Sequence, residues 1–271
     1  MADPPNRKEI QKRMIGINDL SLTVLGSGTC VPSLARSSCS ILVHVNRNRM
    51  VFDIGAGTLR RLVECGVSPG DVTHIFISHF HPDHTADLAP FLFAAKYPVH
   101  MRRQYPLTLI AGTGFRHFYD ALKSLYGRWI ELDSDMLVIH EMSVQKPDCI
   151  RFDDFLVHSI PMNHNPESVA FKVITNQGSS VVYSGDTDYT ENLILISNQA
   201  DILICESAFP DAQKVDGHLT PSLAGAIATD ARVKNLMLTH FYPECDAVDV
   251  EMECRKTYNG PLILAKDLMR L

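Results

Sequence analysis

The feature that most constrains this chain is a six-residue run, His79-Phe80-His81-Pro82-Asp83-His84, which places three imidazoles and one carboxylate side by side. Imidazole nitrogen and carboxylate oxygen are the usual donors to zinc and similar divalent ions. The run follows His74 to Ser78, a short apolar stretch that predicts a strand. In an extended segment, residues i and i+2 project to the same side, so His79 and His81 can grip one ion as the strand ends. Pro82 then turns the chain, and the adjacent Asp83 and His84 can reach a second ion nearby.

Two ions need more donors than one loop supplies. Three further candidates stand at predicted strand ends: His164 in Met162-Asn163-His164-Asn165-Pro166, Asp186 in Ser184-Gly185-Asp186-Thr187, and His240 in Leu238-Thr239-His240-Phe241. Loops at strand ends converge on one rim of a sheet core, where sites commonly lie. His44, His74, His100, His117, His140 and His158 lack such a setting and read as structural.

Strands are predicted at Leu20 to Leu25, Ser40 to Val45, Met50 to Asp53 and Leu107 to Ala111. In the second half they are predicted at Phe155 to Ile160, Val169 to Ile174, Ser180 to Ser184, Ile202 to Cys205, Asn235 to Leu238 and Leu262 to Ala265. Helical patterns lie between them at Gly57 to Cys65, Asp87 to Tyr97, Phe115 to Tyr126, from Thr220-Pro221 onward, and near Val248 to Tyr258. Two β-rich halves with interspersed helices suggest two packed sheets flanked by helices. Periodicity alone leaves α/β and α+β both open.

Apolar residues make up 45% of the 271, enough for a sizeable core. No stretch approaches the roughly 18 consecutive apolar residues of a membrane span. Residues 1–17 read as a short polar leader without the apolar segment of a signal peptide. With no low-complexity tract, repeat or long linker, residues 18–271 read as a single domain. The seven cysteines are scattered singly, which with no export signal favours free thiols and a cytoplasmic location. A net charge of −6 argues against a chain that grips nucleic acid mainly through phosphates, while leaving room for a local basic patch.

In order along the chain, Asp53 in Val51-Phe52-Asp53-Ile54-Gly55-Ala56-Gly57, the His79 to His84 cluster, His164, Asp186 and His240 resemble the metallo-β-lactamase superfamily. The resemblance implies an α+β fold, the four-layer αββα sandwich, with two metals at the edge between the sheets. It implies that His79, His81 and His164 hold the first ion, that Asp83, His84 and His240 hold the second, and that Asp186 bridges them. Asp53 would support the site from behind. Zinc leads the candidate metals, with manganese and iron compatible with the same donors.

Within the superfamily the chain is most similar to ribonuclease Z and its phosphodiesterase relatives. Leu25-Gly26-Ser27-Gly28-Thr29 and Arg36-Ser37-Ser38 resemble their substrate loop, and Glu206 with Gly217-His218-Leu219-Thr220 resembles their Glu plus His-x-Thr motif. Ribonuclease Z carries a tRNA-gripping arm between the ligands matching His164 and Asp186. Here only Asn165 to Gly185 lies there, room for two strands and a turn, so extended tRNA binding is not expected.

The resemblance implies a hydrolase for a small-molecule or nucleotide phosphodiester. His218 would protonate the leaving oxygen, Glu206 would orient His218, and Asp83 would orient the attacking hydroxide. Ser27, Gly28 and Thr29 could offer groups to a phosphate or base, and Arg36 could pair with a phosphate. A lactone, thioester or aryl-ester hydrolase on the same metals is the alternative. A homodimer is a further expectation from the family.

Overall fold

Each half of the chain opens as an antiparallel meander and continues as parallel strands. β1 (Leu20–Gly26), β2 (Ser40–Val45) and β3 (Asn48–Phe52) pair antiparallel; β4 (His74–Ile77), β5 (Leu107–Gly112) and β6 (Leu137–Met142) then add in parallel. The result is a six-stranded sheet in sequence order. Parallel neighbours need a crossover. It is supplied by α1 (Thr58–Glu64), by α2 (Pro82–Thr85) with α3 (Leu88–Lys96), and by α4 (Phe115–Tyr126). This computed structural model describes residues 19–97 and 102–271, so the expected leader at residues 1–17 and His100 lie outside the described residues.

The second half repeats the scheme. β7 (Asp148–Arg151), β8 (Phe155–Pro161), β9 (Val169–Thr175) and β10 (Ser180–Tyr183) are antiparallel. β11 (Ile202–Glu206), β12 (Leu236–Thr239) and β13 (Leu262–Leu264) follow in parallel. Their crossovers hold α5 (Glu191–Ser197), α6 (Pro221–Asp230) and α7 (Val250–Cys254).

Side-chain alternation explains the layering. On β4, Phe76 points inward and stacks on Phe52 at 4.5 Å, with Phe171 of the second sheet edge-on at 5.2 Å. Its neighbours Ile75 and Ile77 point the other way and join Leu62, Phe91, Leu92 and Phe115 beneath the first sheet's helices. The inter-sheet core continues through Val173 and Ile204 to Leu193 and Ile227 on the far helices. The layers are therefore helix, sheet, sheet, helix: the αββα sandwich.

Four elements were not expected from the sequence: β6, β7, α5 and the single turn α2, where only a turn at Pro82 was read. β6 and β7 are edge strands, half-exposed along most of their length; the apolar run of β6 is short, Met136 to Ile139, and β7 has none. α5 has seven residues, too few for a clear helical period, and is set by its cap: Thr190 Oγ1 accepts from Asn192 N at 3.3 Å. The helix expected near Val248 to Tyr258 contracts to Val250–Cys254.

Candidate metal centre

Every predicted ligand stands at the C-terminal end of a strand on one rim of the sandwich. The loop His79 to His84 follows β4, His164 follows β8, Asp186 follows β10 and His240 follows β12. Pro82 does more than turn the chain. It opens the one-turn helix α2, closed by Ala86 N to Pro82 O at 2.7 Å, and this turn aims Asp83 and His84 inward. Two glycines make the crowding possible. A Cβ on Gly55 would lie 1.8 Å from Asp83 O, and one on Gly185, whose φ is 58°, would lie 2.5 Å from Ser78 Cβ.

The donors fall into two groups that meet at Asp186. His79, His81, His164 and Asp186 form one and Asp83, His84 and His240 the other, while a further overlapping set of Asp186, His218 and His240 joins them. In the first, His81 Nδ1 lies 3.1 Å from His79 Nε2 and 3.3 Å from His164 Nε2. Donors bound at 2.0–2.1 Å around a tetrahedral ion stand about 3.3 Å apart, so this spacing suits one ion. Asp186 Oδ2 is 3.7 Å from His79 Nε2 and 4.0 Å from His164 Nε2. Its other oxygen, Oδ1, is 3.3 Å from His84 Nε2 and 3.4 Å from His240 Nε2. Asp83 Oδ2 sits 3.8 Å from His84 Nε2 and 3.6 Å from His240 Nε2.

Behind the donors, a second set of bonds fixes which nitrogen faces the site. Asp53 Oδ2 accepts from His84 Nδ1 at 2.6 Å, from Ser78 Oγ at 2.7 Å and from Tyr183 Oη at 2.7 Å. Because Ser78 Oγ gives its hydrogen to Asp53, it accepts from His79 Nδ1 at 3.0 Å. His164 Nδ1 donates to Gly217 O at 2.9 Å. In all three rings Nδ1 carries the hydrogen, which leaves the Nε2 lone pair free for a metal. Asp53 and His240 both adopt left-handed backbone, at φ 55° and 60°, a local strain that such sites commonly carry.

The donors fit a cation that the protein itself does not supply. His84 Nε2, Asp186 Oδ1, and both ring nitrogens of His240 are buried without a hydrogen-bond partner among the described residues. Orphaned buried polar atoms are costly and rare. Burial opposes charge on His84, yet Asp186 and Asp53 overcome it and hold its pKa well above the ordinary value. Burial likewise opposes ionisation of Asp186, and His240 and His84 outweigh it, holding its pKa well below the carboxylate range. At His79 burial dominates and favours the neutral ring that binds metals.

Glu206 and His218 do meet. The buried Glu206 takes Thr187 N at 2.7 Å and His218 Nδ1 at 3.0 Å on Oε1, and Leu219 N at 3.1 Å on Oε2. His218 Nδ1 lies 4.0 Å from Asp186 Oδ2, so the dyad borders the donor groups. Burial works against charging His218, but its bond to Glu206 and that residue's charge push its pKa up to about 8.

The expected substrate loop is occupied by internal bonds. Ser27 is buried, and its N and Oγ both donate to Asp267 Oδ1 at 2.9 Å; Gly28 N donates to Ser37 O at 2.9 Å. Thr29 is buried too, and its carbonyl accepts from Ser38 Oγ at 3.1 Å. Ser27 O accepts from Phe241 N at 2.9 Å, which ties the loop to the residue after His240. Arg36 forms a two-pronged ion pair with Asp246, at 2.8 and 2.7 Å. In this structure these four residues brace the rim. Sequence reasoning missed Asp267, Tyr183 and Asn165, whose Nδ2 lies 2.9 Å from His81 Nε2, and placed Ser78 only at the strand end that leads into the cluster. Only Ser78 carried a signal, by adjoining the cluster.

The family model described as the beta-lactamase superfamily domain matches residues 49–241, and the chain belongs to that family. An uncharacterized protein of Mycobacterium tuberculosis is 30% identical, over 94% of each chain. A ribonuclease Z of Methanosarcina acetivorans is 24% identical, over 93% of this chain and 97% of that protein. The crystal structure of human tRNase Z, short form, matches with a TM-score of 0.75 and 26% identity, covering 93% of this chain and 98% of that one. The superfamily and the two ribonuclease Z relatives are hydrolases, and the fold implies divalent ions at the histidine–aspartate groups. Among the described residues no helix is long and apolar enough to cross a membrane.

Proposed function

We propose that the chain is a binuclear metal-dependent phosphodiesterase acting on small-molecule or nucleotide-type diesters. The observation that carries this is the juxtaposition of two donor groups, joined at Asp186, with the Glu206–His218 dyad 4.0 Å away. His79, His81 and His164 would hold one ion, Asp83, His84 and His240 the other, with Asp186 between. Zinc suits the donors best; manganese and iron are compatible. When bound, the ions supply water acidified toward a pKa of about 7 and positive charge for a phosphoryl group.

The chain's own residues supply the rest. Asp83 orients the attacking oxygen through its carboxylate. Glu206 accepts from Nδ1 of His218 and so directs Nε2 of that ring, which holds a proton for the departing oxygen. The span between His164 and Asp186 is filled by β9, β10 and their turn. That favours substrates that need no arm there.

The test is hydrolysis of bis(p-nitrophenyl) phosphate and of a dinucleotide by metal-loaded protein. Both activities should vanish with a chelator. His218→Ala should slow dinucleotide cleavage, which expels a poor leaving group, by about 10²–10⁴-fold, and slow the nitrophenyl diester far less. Bound metal with no diester turnover, but turnover of a lactone, thioester or aryl ester, would replace this reading with the alternative one.

A further inference from the structure

At the opposite rim of the first sheet lies an open groove of about 680 Å³. The turn between β2 and β3, the segment 68–73 and residues 102–108 form its walls. Arg47, Arg49, Arg102 and Arg103 line it against the single carboxylate of Asp71, on a chain whose net charge is −6. Asp71 is already engaged, with Oδ2 accepting from Ser68 N at 3.0 Å and Ser68 Oγ at 2.8 Å.

Among the described residues, the side chains of Arg47, Arg49 and Arg102 make no hydrogen bond or close ion pair. Arg47 senses Asp154, and Arg49 senses Asp71, only through space. Arg103 adds an independent observation. It is buried, and its guanidinium donates to the carbonyls of Tyr105 at 2.9 Å, Pro69 at 3.1 Å, Pro106 at 3.3 Å, and Val72, with no carboxylate among these partners. Asp71 acts on this buried cation only through space, so no carboxylate pairs with it directly. Tyr105, 73% exposed, stands on the groove wall and offers a ring.

Guanidinium groups recognise phosphate through two-pronged hydrogen bonds, and an exposed tyrosine offers a surface on which a base can stack. We propose that this groove binds a nucleotide, its phosphate held by Arg47, Arg49 and Arg102 and its base stacked on Tyr105. The nucleotide is either free or part of a single strand. The groove is distinct from the metal centre: five residues of extended chain from His74 to His79 span about 16 Å.

The test is fluorescence anisotropy with fluorescein-labelled hexauridylate on the full chain, both metal-loaded and chelator-treated, so that binding here is read apart from hydrolysis. Binding should persist with chelator and weaken at least tenfold in Arg47→Gln/Arg102→Gln, a pair exposed enough to leave the fold intact. The slope of log K against log salt should fall by about 1.4 in that variant, from two contacts at about 0.7 each. Tyr105→Ala should weaken the oligonucleotide but not inorganic pyrophosphate. Competition by uridine monophosphate at equal strength would assign the free nucleotide, and preference for the hexamer would assign a strand. No binding, binding lost with chelator, or binding indifferent to the arginines would overturn the site. Indifference to Tyr105 would overturn the nucleotide and leave an anion site.

Discussion

β4 carries a buried histidine at its start and another just past its end. His74 and His79 are alike in burial, and in both burial pushes the pKa down, to about 4 for His74. Their company differs. His74 lies edge-on to Phe152 and Phe155 at 5.0 and 5.2 Å, and among the described residues its Nδ1 reaches only the neighbouring Thr73 Oγ1 at 2.8 Å. His79 has its Nδ1 fixed by Ser78 and its Nε2 aimed at His81 and Asp186. Burial therefore does not make an imidazole a ligand. A carboxylate-anchored partner behind it and other lone pairs in front of it do.

The sharpest way to break this contrast is to remove the group on which both donor sets converge. Asp186→Asn keeps the shape and deletes the charge. It should lower diester hydrolysis by about 10³-fold or more, given the several kcal/mol that ions supply to developing charge. Steady-state rates at saturating metal would check it; near wild-type turnover would mean that Asp186 does not join the two groups.

A smaller effect is expected one bond further out. Asp53→Ala leaves every donor in place but releases Nδ1 of His84, Ser78 and Tyr183. It should cost about 10–100-fold in metal affinity or activity, measured by titration against a competing chelator. Loss of the folded state instead, seen by circular dichroism, would show Asp53 to be a fold element first.

The smallest effect belongs to His74. Its folded pKa of about 4 lies below the ordinary 6.5, so the unfolded chain binds more protons between those values. Stability is full above about pH 6.5 and is lost as pH falls toward 4, by about 2 kcal/mol at pH 5. His74→Leu should remove that part of the acid sensitivity and leave hydrolysis unchanged. Urea unfolding at pH 7 and pH 5, compared between the two proteins, reads it. A fall in activity would mean that the two ends of β4 are coupled.

What was legible in the sequence follows the same division. The metal donors could be read because four of them crowd into one loop and the others mark strand ends. The alternating strands and the two-sheet arrangement could be read from their apolar runs. Tyr183 on Asp53 and Asp267 on Ser27 could not, since each role arises from contact between residues 130 and 240 positions apart. The basic groove was hidden for a similar reason: its arginines lie in two separate segments that meet only once β3 and β5 flank β4. Ser27 to Thr29 and Arg36 looked free in sequence because nothing there reveals that Asp267 engages Ser27, that Ser37 and Ser38 engage Gly28 and Thr29, and that Asp246 engages Arg36.

The central claim is that two ions share this rim, and metal stoichiometry tests it most directly. Inductively coupled plasma mass spectrometry on zinc-loaded, desalted protein should find two ions per chain, falling to about one in His164→Ala, which touches only the first donor group. Fewer than one ion per chain in the wild type, or a count unmoved by His164→Ala, would contradict it.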